Sequence, residues 1–181
     1  MIIPDNLKVI LATKNETFDF ALTSPGEWIF DLSPDISSLK KRAELTHSFG
    51  KKYFIHFDLA DGLGKDKSGI VYAREQGIDG IISTRVNIIK MAREAGLFTV
   101  QRFFIVDSHS VDTTLEGIKS AKPDMIEVMP GVVCKIIKRL AQSISLPIIA
   151  GGLIESAEDA EAAYSSGARA VSTSNRELWS I

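Results

Sequence analysis

Residues 146–175, LPIIAGGLIESAEDAEAAYSSGARAVSTSN, carry the pattern that decides the fold. They read as a short apolar strand, LPIIAG (146–151), a helical stretch, and a second short strand, RAVSTS (169–174). Pro147 stands where a continuing helix is forbidden, because its ring removes an N–H and clashes with the turn before it. Ser156 and Asp159 have the spacing of a capping box that opens the helix SAEDAEAAYSSG, and Gly167 fits the left-handed stop after it. Strand, returning helix and parallel strand make one β/α unit.

Outward from this unit the same beat repeats. Six earlier strands are predicted at KVILAT (8–13), EWIFDL (27–32), KYFIHFDL (52–59), DGIIST (79–84), LFTVQRFFI (97–105) and DMIEVM (124–129). Between them the apolar period changes from two to about 3.6, as in amphipathic helices. Ile88, Ala92 and Ala95 share one face, as do Val111, Leu115 and Ile118, and Val133, Ile136, Ile137 and Leu140. Gly77 and Gly96 stop earlier helices, and Pro123 precedes the sixth strand. Strict alternation implies a parallel sheet with helices outside it. Eight units favour closure into a compact TIM-like (β/α)8 barrel over an open sheet, as a single domain over residues 1–181, with the first two units least regular. QGIDGIISTR and SGARAVSTSN echo one another at strands four and eight, as a half-barrel duplication or a coincidence would arrange them.

Bulk properties narrow the function. Of 181 residues, 45% are hydrophobic and 24% charged, the balance of an ordinary globular chain. A net charge of −2 argues against constitutive, non-specific nucleic-acid binding, while leaving room for a local basic patch. With Cys134 the single cysteine, no intrachain disulfide can form, and a cytoplasmic location is expected. The start, MIIPDNLKVILATKN, has neither the basic region of a signal peptide nor a long apolar run, so no membrane association is expected.

In such barrels function gathers where strands end, and a phosphate site is often built after strands seven and eight. Gly151 and Gly152 let the backbone approach an anion, and Ser172, Thr173 and Ser174 add hydroxyls ahead of a short RELWSI helix with free N–H groups. The competing reading is a glycine turn with Ser/Asn helix capping. Other strand ends are polar: Lys14, His56, Asp58, Arg85, Gln101 and Glu127 are candidate pocket residues. Against ligand contact stands an internal ion-pair layer, for example Arg85 with Glu127. His47, His56 and His109 lack ligand spacing, so neither metal, cofactor nor catalytic residue is assigned. Cys134 reads as packing. Lys135, Lys138 and Arg139 share a helix surface that could meet a nucleic-acid backbone, or simply be solvated.

The strings HFDLADGL (56–63), DGIISTR (79–85), QRFFIVDS (101–108), KPDMIEVMPG (122–131), PIIAGGLI (147–154) and AVSTSNRELW (170–179) together resemble the glycerol-3-phosphate-responsive antiterminators, regulatory proteins of glycerol uptake operons. The resemblance implies a TIM-barrel-like cytoplasmic regulator. Its effector would be glycerol 3-phosphate, and it would act on leader mRNA to prevent premature termination of glycerol-utilisation genes. Phosphate would sit at Gly151, Gly152, Ser172, Thr173 and Ser174, with the glycerol hydroxyls toward Asp58, Arg85, Gln101 and Glu127. A homo-oligomer stays open. The main rival is an enzyme acting on a small phosphorylated polyol or sugar at the same phosphate site. A third reading is a phosphate-ester sensor working through a protein partner.

Overall fold

The computed structural model describes residues 2–107 and 109–181. Eight strands alternate with helices in the order β1 Val9–Thr13, α1 Phe18–Thr23, β2 Trp28–Asp31, α2 Leu39–Ser48, β3 Lys52–His56, α3 Lys67–Glu75, β4 Gly80–Ser83 and α4 Val86–Glu94. There follow β5 Phe98–Phe104, α5 His109–Ala121, β6 Met125–Met129, α6 Cys134–Ser143, β7 Ile148–Gly151, α7 Ala157–Ser165 and β8 Ala170–Thr173. A 3-10 turn, Arg176–Ser180, follows β8. All neighbouring strands pair in parallel, β8 pairs back onto β1, and the sheet closes into an eight-stranded barrel.

The local signals operate as their chemistry requires. Ser156 Oγ accepts from the Asp159 N–H while the Asp159 carboxylate takes the Ser156 N–H, so the capping box opens α7. Gly167 ends that helix at a φ of 102°. The predicted third strand is shorter than its apolar run: pairing stops at His56, and Phe57–Leu59 curls into a 3-10 turn that swings Asp58 over the barrel end. The first helix is also brief, six residues long.

Two apolar layers hold the barrel. Outside the sheet, Val9, Leu11, Ile29, Ile55, Ile81, Ile126, Val128 and Val171 pack against the helices. One polar knot ties α2 to this wall. The buried Asp31 accepts the Tyr53 hydroxyl at 2.6 Å and Arg42 Nη1 at 2.5 Å, so its charge is paired where it would otherwise be costly. Inside the barrel stand Ile10, Trp28, Phe30, Phe54, Ile82, Phe98, Val100, Met125, Ile149 and Ala170. Trp28 stacks on Phe54 with ring centroids 4.5 Å apart, and Phe98 meets both rings edge-on. This aromatic plug fills the lower barrel. Its density explains Gly80, because a Cβ there would stand 2.5 Å from the Phe54 ring and 2.6 Å from the Phe98 carbonyl.

The half-chain echo does not extend to facing. Aligned on their Ser-Thr pairs, Ile82 corresponds to Val171, yet Ile82 lies in the barrel interior and Val171 in the outer layer. A one-residue slip along a strand exchanges the two faces, so the matched strings place their side chains in different surroundings.

Replacing Gly80→Ala overpacks the plug against backbone as well as ring. The expected cost is about 1–3 kcal/mol, read as a lower urea midpoint at unchanged slope.

Candidate functional site

Above the aromatic plug the interior turns polar. Parallel register puts His56 beside Ile82, Arg102 beside Glu127, and Gly151 beside Ser172, all in the last turn of the barrel before its mouth. The side chains form a chain across that mouth. Ser172 Oγ donates to Glu127 Oε1 at 2.5 Å, and Arg102 Nε donates to Glu127 Oε2 at 2.6 Å. Arg102 Nη1 reaches His56 Nδ1 at 3.4 Å, and His56 Nε2 lies 3.8 Å from Asp58 Oδ2. Asp58 in turn accepts from Ser83 Oγ, the Thr84 N–H and Thr84 Oγ1.

The protonation states follow from these surroundings. Burial first, and then the adjacent Arg102 cation, push the His56 pKa down to about 4, so the imidazole is neutral near neutral pH. A guanidinium can only donate, so Nδ1 accepts from Arg102 and the ring proton resides on Nε2. Among the described residues that Nε2 has no hydrogen-bond partner. Burial opposes ionisation of Asp58, but the Thr84 N–H and the Ser83 and Thr84 hydroxyls together hold its pKa below the ordinary carboxylate value.

A cavity of about 680 Å³ opens beside this chain. Its walls come from the exits of β1 (Lys14), β6 (Glu127, Met129), β7 (Gly152 to Glu155) and β8 (Ser172 to Asn175), with Arg102 from β5. The β7 exit turns through two consecutive left-handed residues, Gly152 at φ 75° and Leu153 at φ 58°. Gly151 has a different reason to lack a side chain. Its Cβ would stand 2.4 Å from Glu127 Oε1 and 2.6 Å from Ser172 Oγ, so this glycine makes room for the carboxylate–hydroxyl pair.

The sequence-predicted residues therefore separate. Lys14, Glu127, Gly152, Ser172, Thr173 and Ser174 line the cavity. His56 and Asp58 join it through Arg102, and Arg85, with its side chain 53% exposed, sits 3.8 Å from Asp58. Gln101 is placed elsewhere. Its amide lies on the α5 side of β5, 3.4 Å from where a Cβ of Gly117 would stand, and the strand's interior charge is its neighbour Arg102. The suggested pairing of Arg85 with Glu127 is likewise corrected: Glu127 pairs with Arg102, and Arg85 approaches Asp58.

Some expected donors are already committed. The Thr173 hydroxyl donates to the Ile154 carbonyl and accepts the Asn175 N–H, while Asn175 Oδ1 caps the Glu177 N–H at the start of the 3-10 turn. Lys135, Lys138 and Arg139 are exposed on α6, with Arg139 Nη2 3.8 Å from Asp112 Oδ1 on α5.

A closed, all-parallel (β/α)8 barrel with a polar cavity at the C-terminal ends of its strands defines the class of TIM barrels. Within it, residues 9–179 match the glycerol-3-phosphate responsive antiterminator family, and the chain belongs to that family. It is 35% identical over 175 residues to the uncharacterized protein YgcP of Escherichia coli (strain K12), covering 96% of this chain and 92% of that one. The glycerol uptake operon antiterminator regulatory protein of Listeria monocytogenes str. 4b F2365 superposes with a TM-score of 0.92 at 34% identity, over 99% of this chain and 98% of that one. An antiterminator-related protein of Thermotoga maritima MSB8 gives a TM-score of 0.85 at 30% identity, over 96% and 98%. Deoxyribose phosphate aldolase from Aeropyrum pernix, at 14% identity and a TM-score of 0.70 over 94% and 86%, shares the fold alone.

Because the folded pKa of His56 lies below its ordinary 6.5, the unfolded chain takes up that proton first as pH falls. The stability His56 contributes is complete above 6.5 and is lost between 6.5 and about 4. Replacing His56→Gln should flatten the fall in urea midpoint across that window, while the fall that Asp58 contributes, at lower pH, persists.

Proposed function

We propose that the protein is a glycerol 3-phosphate-responsive regulator that binds leader mRNA and promotes antitermination of glycerol-utilisation genes. Membership of the antiterminator family over residues 9–179 is the observation that carries this reading. The cavity supports it with a fitting chemistry. The ligand phosphate sits at the β7 and β8 exits, against the Gly152 turn and Ser174, with Lys14 as its cation; Gly151, Ser172 and Thr173 shape that seat from behind. Exposed Lys135, Lys138 and Arg139 on α6 are the nucleic-acid surface, reaching phosphates as a solvated cluster does.

The interior groups suit binding better than proton transfer. A general base works best with a pKa near the operating pH, whereas His56 is pushed down to about 4 and Glu127 is committed to Arg102 and Ser172. The reading is of a cytoplasmic regulator with no turnover of its effector.

Leader RNA titrated with and without glycerol 3-phosphate should bind more tightly with the effector present; equal affinity in both conditions overturns the regulatory reading. Gly152→Asp places a carboxylate and a strained left-handed residue at the phosphate seat. Calorimetry should show the affinity for glycerol 3-phosphate falling by about tenfold or more, and unchanged affinity removes the phosphate from this turn.

A further inference from the structure

The floor of the cavity accepts hydrogen bonds, and that decides which end of a ligand can reach it. Glu127 is fully buried, yet it borders the cavity together with Arg102 and Ser172. Each carboxylate oxygen already receives one bond, from Ser172 on Oε1 and from Arg102 on Oε2. A carboxylate offers about four acceptor positions, so each oxygen retains another. The Ser172 proton points into Glu127, which leaves the serine oxygen's lone pairs for any ligand. Gly151 holds the space open, because a Cβ would fill the position beside both oxygens.

A phosphate is poorly matched to this floor. Its oxygens are acceptors with no proton for Glu127, and a second negative charge beside that carboxylate is repelled by it. A hydroxyl donates to Glu127 without that repulsion, and its oxygen can accept from Arg102. Arg102 Nη2 has no protein partner among the described residues, so the guanidinium retains donors for this purpose. At the rim, by contrast, stand the Lys14 cation, the Gly152 turn and Ser174.

We propose that the site takes its ligand hydroxyl-end down: a secondary alcohol of a polyol monophosphate donates to Glu127 and accepts from Arg102, while the phosphate stays at the rim. This rests on the reading of the cavity as a phosphate-ester site and adds to it a requirement for a donor on the carbon chain. At that carbon the corresponding ketone, poorer by two hydrogens, presents only an acceptor to Glu127, so it binds more weakly. Glu127 and Arg102 are thereby the residues that tell the alcohol from the carbonyl compound. Arg102 is held for that role by Glu127 on one side and neutral His56 on the other.

Calorimetry on the full-length protein with glycerol 3-phosphate, dihydroxyacetone phosphate, n-propyl phosphate and inorganic phosphate tests this without any substitution. Glycerol 3-phosphate should bind tighter than dihydroxyacetone phosphate and n-propyl phosphate by about tenfold to a hundredfold, the cost of leaving a buried polar group unpaired. In Glu127→Gln that advantage should shrink toward the level of n-propyl phosphate, with inorganic phosphate unaffected. Equal affinity for the alcohol, the ketone and the propyl ester on the unsubstituted protein overturns the orientation and leaves the phosphate site standing. So does a folded Glu127→Gln that keeps the full preference. If none of the four ligands binds, the phosphate-ester reading falls, and this assignment with it.

Discussion

The Arg102–Glu127 ion pair is the constraint around which the upper barrel is organised. Its charges are almost completely removed from water, with side-chain exposures of 7% and 1%. Such a pair is tolerated only when the remaining donors and acceptors are met, because desolvation can outweigh the attraction between the partners. The structure meets part of them, one after another. Ser172 serves one carboxylate oxygen, neutral His56 faces the guanidinium, and Gly151 makes the space that lets serine and carboxylate touch. Beneath them the Trp28–Phe54–Phe98 plug fills the lower barrel with packed apolar rings. The pair also borders the cavity, so the element that closes the polar layer lines the cavity as well.

The same arrangement ties together strands that are far apart around the barrel. His56 comes from β3, Arg102 from β5, Glu127 from β6 and Ser172 from β8. Asp58, just beyond β3, extends the chain to Ser83 and Thr84 at the β4 exit. The threonines of the two echoed strings do comparable work despite their different facing. Thr84 reaches back to Asp58 at the preceding strand's exit, and Thr173 reaches back to the Ile154 carbonyl after β7. Each uses its hydroxyl to fasten a neighbouring strand end.

What could be read from the sequence follows from this division of labour. Strand–helix alternation, the α7 capping box and the glycine stops depend on local chemistry, so eight strands and a closed barrel were legible in 181 residues. Facing was less so. In QRFF both Gln101 and Arg102 are polar, and alternation alone gives no way to choose which enters the barrel. The choice depends on register: Val100 lies with the interior cluster, so Arg102, two residues on, enters the barrel and Gln101 turns to α5. A buried Gln101 amide with no partner among the described residues shows how strongly that register is imposed. Gly151 was legible as special and its reason was not, since the atoms it makes room for come from β6 and β8. Arg102 was missed because its partner Glu127 lies 25 residues away in sequence and is brought beside it only by the β5–β6 pairing.

Position in this chain also bears on regulation. An effector shifts an equilibrium only by the difference in its affinity for the two states, however tightly it binds either one. A ligand held solely by rim groups such as Lys14 and Ser174, both exposed, would meet nearly the same partners in any arrangement of the barrel end. Contact with the Arg102–Glu127 pair is different, because that pair's geometry depends on β3, β5, β6 and β8 standing in one relation. Its buried hydrogen bonds lie in a low-dielectric setting where a displaced partner is costly. On the proposed orientation, differential affinity would arise at the floor of the cavity, where a ligand would touch groups that register the arrangement of half the strands.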